Sequence, residues 1–177
     1  MAHYLFHSDR LGFRNWRDAD LPPMAAINAD PEVMRFFPGT QTLQQTSDFI
    51  ARAQRQYDEK RFTYFAVDRL DTDAFIGFIG LSRQTYEADF TPCIDIGWRL
   101  SKENWHQGFA TEGAKRCLHY AFEDLKLMQI VATAPVINLP SIHVMIRIGM
   151  KPVKHFKHPM LKNDKRLETC VLYSVDR

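Results

Sequence analysis

Long hydrophobic runs are missing from this chain. No stretch approaches the ~18 consecutive apolar residues of a membrane-spanning helix. The first residues carry no basic stretch followed by an apolar one, so they do not read as a secretory leader. Cysteine is scarce: Cys93, Cys117 and Cys170 are odd in number, far apart and without metal-ligand spacing. That argues against a disulfide framework and a thiolate metal site, and predicts reduced thiols in a cytoplasmic protein. Charge of one sign is not in excess either. Lys and Arg number 23 against 21 Asp and Glu, and the net +2 is too small to attract nucleic acid by bulk electrostatics. It leaves room for a local basic patch of the kind a polyanionic cofactor needs. Two phosphate-binding signatures are also absent. Without Gly-Lys-Ser/Thr there is no P-loop, and without Gly-x-Gly-x-x-Gly there is no dinucleotide fingerprint.

What remains is ordinary globular composition, 45% hydrophobic and 25% charged over 177 residues. A chain of this length buries roughly two-thirds of its unfolded surface without a staple. No repeat or linker interrupts it, so residues 1–177 are expected to form a single domain. Loose alternation over 9–16 predicts a first strand. Acids at Asp18 and Asp20 followed by Pro22 and Pro23 signal a helix start, with a short helix over 24–29. Phe49, Ile50, Ala53 and Tyr57 share one face of a second helix over about 42–60. The period then changes, and residues 62–66 and 74–81 read as two strands about a turn at 70–73, with a third at 93–100. This middle portion predicts an antiparallel meander.

After Gly108 the pattern is strongly helical: Ala110, Ala114, Cys117, Leu118, Ala121, Phe122 and Leu125 recur on one side, with charged residues opposite. A buried strand over 129–134, a helix over 138–148 stopped by Gly149, and strands near 150–157 and 167–175 complete the order β-α-α-β-β-β-α-β-α-β-β. The expected class is α+β, or mixed α/β.

The chemistry-bearing stretch runs from Ser101 through Trp105, His106, Gln107, Gly108, Phe109, Ala110, Thr111 and Glu112 to Gly113. Here a strand ends, a short polar loop follows and an amphipathic helix begins. The first turn of a helix presents unpaired N–H groups at the positive end of its dipole, which suits a pyrophosphate. Gly108 and Ala110 keep bulk away from that backbone. Taken alone, Gly-x-Ala also fits a plain turn before a surface helix.

Together with Ile94-Asp95-Ile96-Gly97-Trp98-Arg99-Leu100, the block Trp105-His106-Gln107-Gly108-Phe109-Ala110-Thr111-Glu112 resembles the GNAT acetyltransferase superfamily. It is most similar to the branch of Rim-type ribosomal-protein N-terminal acetyltransferases. Asp30-Pro31 through Pro38, Asn138-x-x-Ser141 and Arg147 through Lys151 extend the resemblance over nearly the whole chain. Trp105 stands where the general signature has Gln or Arg, as is common in the Rim-type branch.

The resemblance implies a mostly antiparallel twisted sheet, split by a V-shaped gap and flanked by about four helices, with acetyl-CoA as co-substrate and an amine as acceptor. The backbone of Arg99 and Leu100 should face the pantetheine arm, Gln107, Gly108, Phe109, Ala110 and Thr111 should hold the pyrophosphate with His106 either beside it or simply exposed, and Asn138 should cap its helix and bond pantetheine. Many relatives place a proton-donating tyrosine where this chain has Met145, which leaves Ser141 to serve the departing thiolate or simply to support its helix start. For the base, Asp95 matches the acid before Ile-Gly and Glu32 lies in the loop that walls the substrate site; Asp95 is equally suited to a structural role. Phe36, Phe37, Tyr86 and Trp98 are candidate acceptor contacts, with core packing the alternative for the two phenylalanines. His158 is a further acceptor candidate or a solvated loop residue. His155-x-x-His158 lacks a third ligand, so no metal is expected.

The implied activity is acetyl transfer to a primary amine, such as a protein or peptide N-terminus, within a ternary complex. The alternatives are a small-molecule amine (antibiotic, polyamine or amino acid) or a non-catalytic acyl-CoA sensor. A monomer or a homodimer is expected.

Overall fold

Helix ends in this protein are set by identifiable side chains. The helix α2 (Leu43–Lys60) begins where Thr42 accepts the Gln45 N–H at 3.2 Å and the Gln45 side chain accepts the Thr42 N–H at 2.8 Å. This reciprocal box satisfies two donors that a helix start leaves unpaired. It ends at Arg61, in the left-handed region at φ 62°. Prolines enter the first turn of both α1 (Leu21–Ala29) and α4 (Leu139–Arg147), where the missing N–H costs nothing. The remaining helix, α3 (Phe109–His119), runs on through a π turn at Tyr120–Asp124.

A computed structural model describes residues 4–177. It is a mixed α/β fold with the four helices flanking one eight-stranded sheet. The strands are β1 (Phe6–His7), β2 (Leu11–Arg14), β3 (Tyr64–Arg69), β4 (Phe75–Gln84), β5 (Cys93–Leu100), β6 (Gln129–Pro135), β7 (Lys151–Lys157) and β8 (Thr169–Asp176). Their spatial order is β1-β2-β3-β4-β5-β6-β8-β7. The strand expected over 9–16 forms as β2, and β1 before it makes a hairpin with it, closed by the Ser8 N–H on the Leu11 carbonyl at 2.9 Å. With two residues, β1 is too short to show alternation.

Apolar residues on the two sheet faces serve different helices. One face packs Phe13, Phe65, Ile79 and Leu81 against Ala114, Cys117 and Leu118 of α3 and Met145 of α4. The other packs Ala66 and Phe78 against Met24 and Ile27 of α1 and Ile50 and Ala53 of α2. Burying each such aliphatic or aromatic side chain stabilises the fold by roughly 1.5–3 kcal/mol. Helix α3 sits so close that a Cβ at Gly113 would come 2.3 Å from Ile79 Cδ1. The start of α3 is thereby held against the sheet.

The pairing of β5 positions the site. With β4 it is antiparallel along its length, from Gly77↔Leu100 to Gln84↔Cys93. With β6 it is parallel, and only Asp95↔Val131 pair. Beyond that point the two strands diverge, which is the expected V-shaped gap.

Candidate active site

Antiparallel ladders alternate the direction in which backbone groups point. The Ser101 N–H donates to the Ile76 carbonyl at 2.9 Å. With the register of β4 and β5, that bond sets Arg99, Gly97 and Asp95 facing β4. The backbone groups of Ile96, Trp98 and Leu100 then face β6 and the gap. The expectation for Arg99 is therefore corrected: its backbone is committed to β4, and the peptide of Trp98 faces the gap in its place. The Leu100 carbonyl accepts the Trp105 indole N–H at 2.9 Å, so it ties the loop to the strand end.

Two left-handed residues shape that loop, His106 at φ 60° and Gly108 at φ 81°. A side chain at Gly108 would strain the backbone even though space exists around it. No side chain caps α3, so its first N–H groups, those of Phe109, Ala110 and Thr111, remain available at the positive end of the helix. A brace from the N-terminal hairpin secures this geometry. Arg10 donates from Nη2 to the Gln107 carbonyl at 3.0 Å and from Nε to Glu112 at 2.7 Å, and its guanidinium lies 4.5 Å over the Phe109 ring. Ser8 Oγ donates to the same Glu112 carboxylate at 2.7 Å. Burial works against the charged form, but the bonds from Ser8 and Arg10 hold the Glu112 carboxyl below its usual range. No local signal links residues so far apart in sequence, and the brace was not anticipated.

A cavity of about 400 Å³ opens in front of this helix start, within the usual range for small-molecule sites. Trp98, Arg99 and Leu100 form the β5 wall, and His106 with residues 108–111 form the loop wall. Asn138, Ser141 and Val144 close it from α4, and Glu32, Phe36 and Phe37 from the segment between α1 and α2. Asn138 Oδ1 accepts the Ser141 N–H at 3.3 Å, the helix cap expected from sequence. Arg35 and Arg147 add cationic groups. An uncapped helix start, a left-handed glycine and nearby cations are suited to a phosphate-bearing ligand, so these residues fit acetyl-CoA.

Four predicted residues lie outside the cavity walls. Gln107 is turned away, its Nε2 donating to the Glu103 carbonyl at 2.9 Å. Tyr86 and His158 meet in an aromatic group with Phe90 and Phe156, their own ring centroids 4.4 Å apart. His158 Nδ1 accepts the Met160 N–H at 3.2 Å, and burial lowers its pKa. It is half-buried rather than solvated. Asp95 stands at the closed end of the V, on the sheet face shared with α1 and α2. Tyr64 donates its hydroxyl to Asp95 Oδ1 at 2.8 Å, and Gln84 Nε2 donates to the Tyr64 oxygen at 3.3 Å. Burial raises the Asp95 carboxyl to about 6, against the lowering effect of the Tyr64 and Gln84 bonds. Tyr64, which sequence reasoning missed, is itself pushed well up by burial and by Asp95.

Glu32 does line the cavity, but it pairs with Lys102 at 2.7 Å, both side chains about half exposed. Asp95 is thus the carboxylate whose surroundings set it apart. Among the described residues there is no group of three or more metal-ligating side chains, and no helix is long and apolar enough to cross a membrane. The three cysteines are free.

Comparison with known proteins agrees with this geometry. The chain matches the acetyltransferase (GNAT) domain family over residues 10–151. It is similar to the uncharacterized N-acetyltransferase YnaD of Bacillus subtilis, 29% identical over 88% of each chain. Among solved structures it is similar to ribosomal-protein-S5-alanine acetyltransferase from Vibrio fischeri, with TM-score 0.77 and 17% identity over 97% of this chain and 95% of that one. It is also similar to spermidine N-acetyltransferase from Vibrio cholerae in complex with CoA and spermine, with TM-score 0.74 and 18% identity over 94% and 95%. At these identities the two structures share the fold with this chain, and their acceptors are different amines.

Proposed function

The chain belongs to the GNAT acetyltransferase family, acetyl-CoA-dependent acyltransferases, and from that premise we propose that it acetylates a primary α-amine, such as the N-terminus of a protein or peptide, in a ternary complex. One observation carries the acetyl-CoA half of this reading: the uncapped start of α3 faces a cavity where β5 and β6 part after a single paired position. Acetyl-CoA supplies the activated acyl group as a thioester. The N–H groups of Phe109, Ala110 and Thr111 bind its pyrophosphate, with His106 beside them. The gap-facing peptides of Trp98 and Leu100, together with Asn138, hold its pantetheine arm.

Asp95 receives the amine proton through a bridging water. With a pKa of about 6 it is ionised at neutral pH yet still basic enough to help an α-amine, whose own pKa near 8 leaves part of it neutral. Phe36 and Phe37 give the acceptor an apolar wall. The Ser141 hydroxyl lines the cavity and bonds the departing sulfur.

Thiol release from acetyl-CoA, measured across peptides of different first residue, amino acids, polyamines and aminoglycosides, tests the activity. Turnover is expected on α-amines; acetyl-CoA binding without release on any amine would overturn the proposal. Ser141→Ala is expected to lower kcat about 10–100-fold with acetyl-CoA affinity retained. Unchanged kcat would remove Ser141 from the chemistry.

A further inference from the structure

Two arginines reach into this fold and receive opposite treatment. Arg14, 4% exposed, is surrounded by carboxylates. Its Nη1 and Nη2 bond Asp20 at 2.7 and 2.9 Å, and its Nε and Nη2 grip both oxygens of Asp68 at 2.7 Å each. Arg99 has no carboxylate within ion-pair distance among the described residues. Its Nη1 donates to Asn28 Oδ1 at 2.6 Å, and its guanidinium lies 4.3 Å from the Phe37 ring centroid and 5.4 Å from that of Phe78. Its Nε is buried without a partner.

The edge of Arg99 without a partner is the Nε–Nη2 side, the same edge with which Arg14 holds Asp68. That edge matches a carboxylate in two parallel hydrogen bonds. An unsatisfied donor on a desolvated cation costs free energy, which a ligand carboxylate bonded to it would recover. Desolvation also lowers Arg99 to about 10, partly offset by the neighbouring Tyr64. Arg99 lines the cavity beside Phe37, Trp105 and Arg35. Arg147 on α4 is a further cation among the residues that line it.

We propose that Arg99 reads a carboxylate on the acceptor, so that the molecule acetylated carries both an amine and an acid. This rests on the acetyltransferase reading of the cleft. Asp95 and Arg99 lie on one face of β5, four residues apart, so the group that takes the proton and the group that reads the acid are distinct side chains. Polycationic amines are poor occupants of such a wall. The carboxylate belongs either to a free amino acid or to an acidic residue of a peptide.

Calorimetry on the CoA-saturated protein tests this without turnover, using acetylated product mimics. N-acetylglycine, N-acetyl-β-alanine and N-acetyl-γ-aminobutyrate are each compared with the matching amide, and N-acetyl-Ala-Asp-amide with N-acetyl-Ala-Asn-amide. At least one acid should bind about tenfold more tightly than its neutral partner. Whether the amino acid or the peptide shows the preference identifies the source of the carboxylate. In Arg99→Gln the preference should vanish, and Arg99→Lys should restore part of it. Parity throughout in the unmodified protein, or a preference that survives Arg99→Gln, overturns the proposal. So does a loss of acetyl-CoA affinity beyond about tenfold in Arg99→Gln, because Arg99 would then serve the co-substrate. Failure of every amine to release thiol bears on the acetyltransferase reading, whereas these binding results bear on Arg99.

Discussion

Asp95→Asn is expected to slow turnover by about 10²–10⁴-fold, the usual worth of a positioned base, while making the protein more stable. Both effects follow from one desolvated carboxyl. Burial raises Asp95 from its ordinary 3.8 to about 6, so the folded protein holds this proton more tightly than the unfolded chain does. The associated stability is complete below pH 3.8 and is lost as pH rises through about 6. At about pH 8 the ionised group opposes folding by up to roughly 3 kcal/mol. Asparagine carries no charge at any pH, and its amide oxygen can still accept the Tyr64 hydroxyl. Thermal unfolding at about pH 8 should therefore show a Tm several degrees above that of the unmodified protein, and the difference should close near pH 4. In the unmodified enzyme, kcat/KM should rise with pH through about 6 as the base ionises. A variant that loses stability at pH 8, or keeps its rate, would make Asp95 a structural carboxylate.

Arg14→Met should be the most damaging single change to the fold. Arg14 joins β2 to Asp68 on β3 and to Asp20 just before α1, and all three side chains are at most 5% exposed. Removing the cation leaves two desolvated carboxylates side by side. Breaking a buried pair in this way costs about 3–5 kcal/mol, which for a chain of this size lowers Tm by roughly 6–20 °C. The triple change with Asp20→Asn and Asp68→Asn should recover much of that loss, because no uncompensated charge remains. A Tm within about 2 °C for Arg14→Met alone would show that water already screens the cluster.

Local pattern was enough to read the elements around the site. Apolar alternation over Cys93–Leu100, the polar loop after it and the helical spacing from Ala110 to Leu125 are short-range signals, and each element formed where its residues predicted. The Asn138 cap was legible for the same reason. Pairing phase was not: whether Arg99 or Trp98 turns its peptide to the gap depends on which β4 residue lies opposite, and nothing within β5 encodes that. The brace of Arg10 and Ser8 on Glu112, the Tyr64 bond to Asp95 and the single acceptor given to Arg99 join residues 31 to 104 positions apart. Each side chain alone reads as an ordinary polar residue. Their roles emerge only when the sheet brings hairpin, meander and helix together.

Acetyl-CoA titrated calorimetrically into the unmodified protein and into Gly108→Val tests the central claim most directly. The left-handed backbone at Gly108 (φ 81°) and the open helix start should give saturable one-to-one binding in the unmodified protein. A β-branched side chain there strains the turn and crowds the N–H groups behind it, so the affinity should fall by at least about tenfold while the unfolding transition stays cooperative. Absence of binding to the unmodified protein, or equal affinity in the folded variant, would contradict the assignment of this loop as the site of the co-substrate's phosphates.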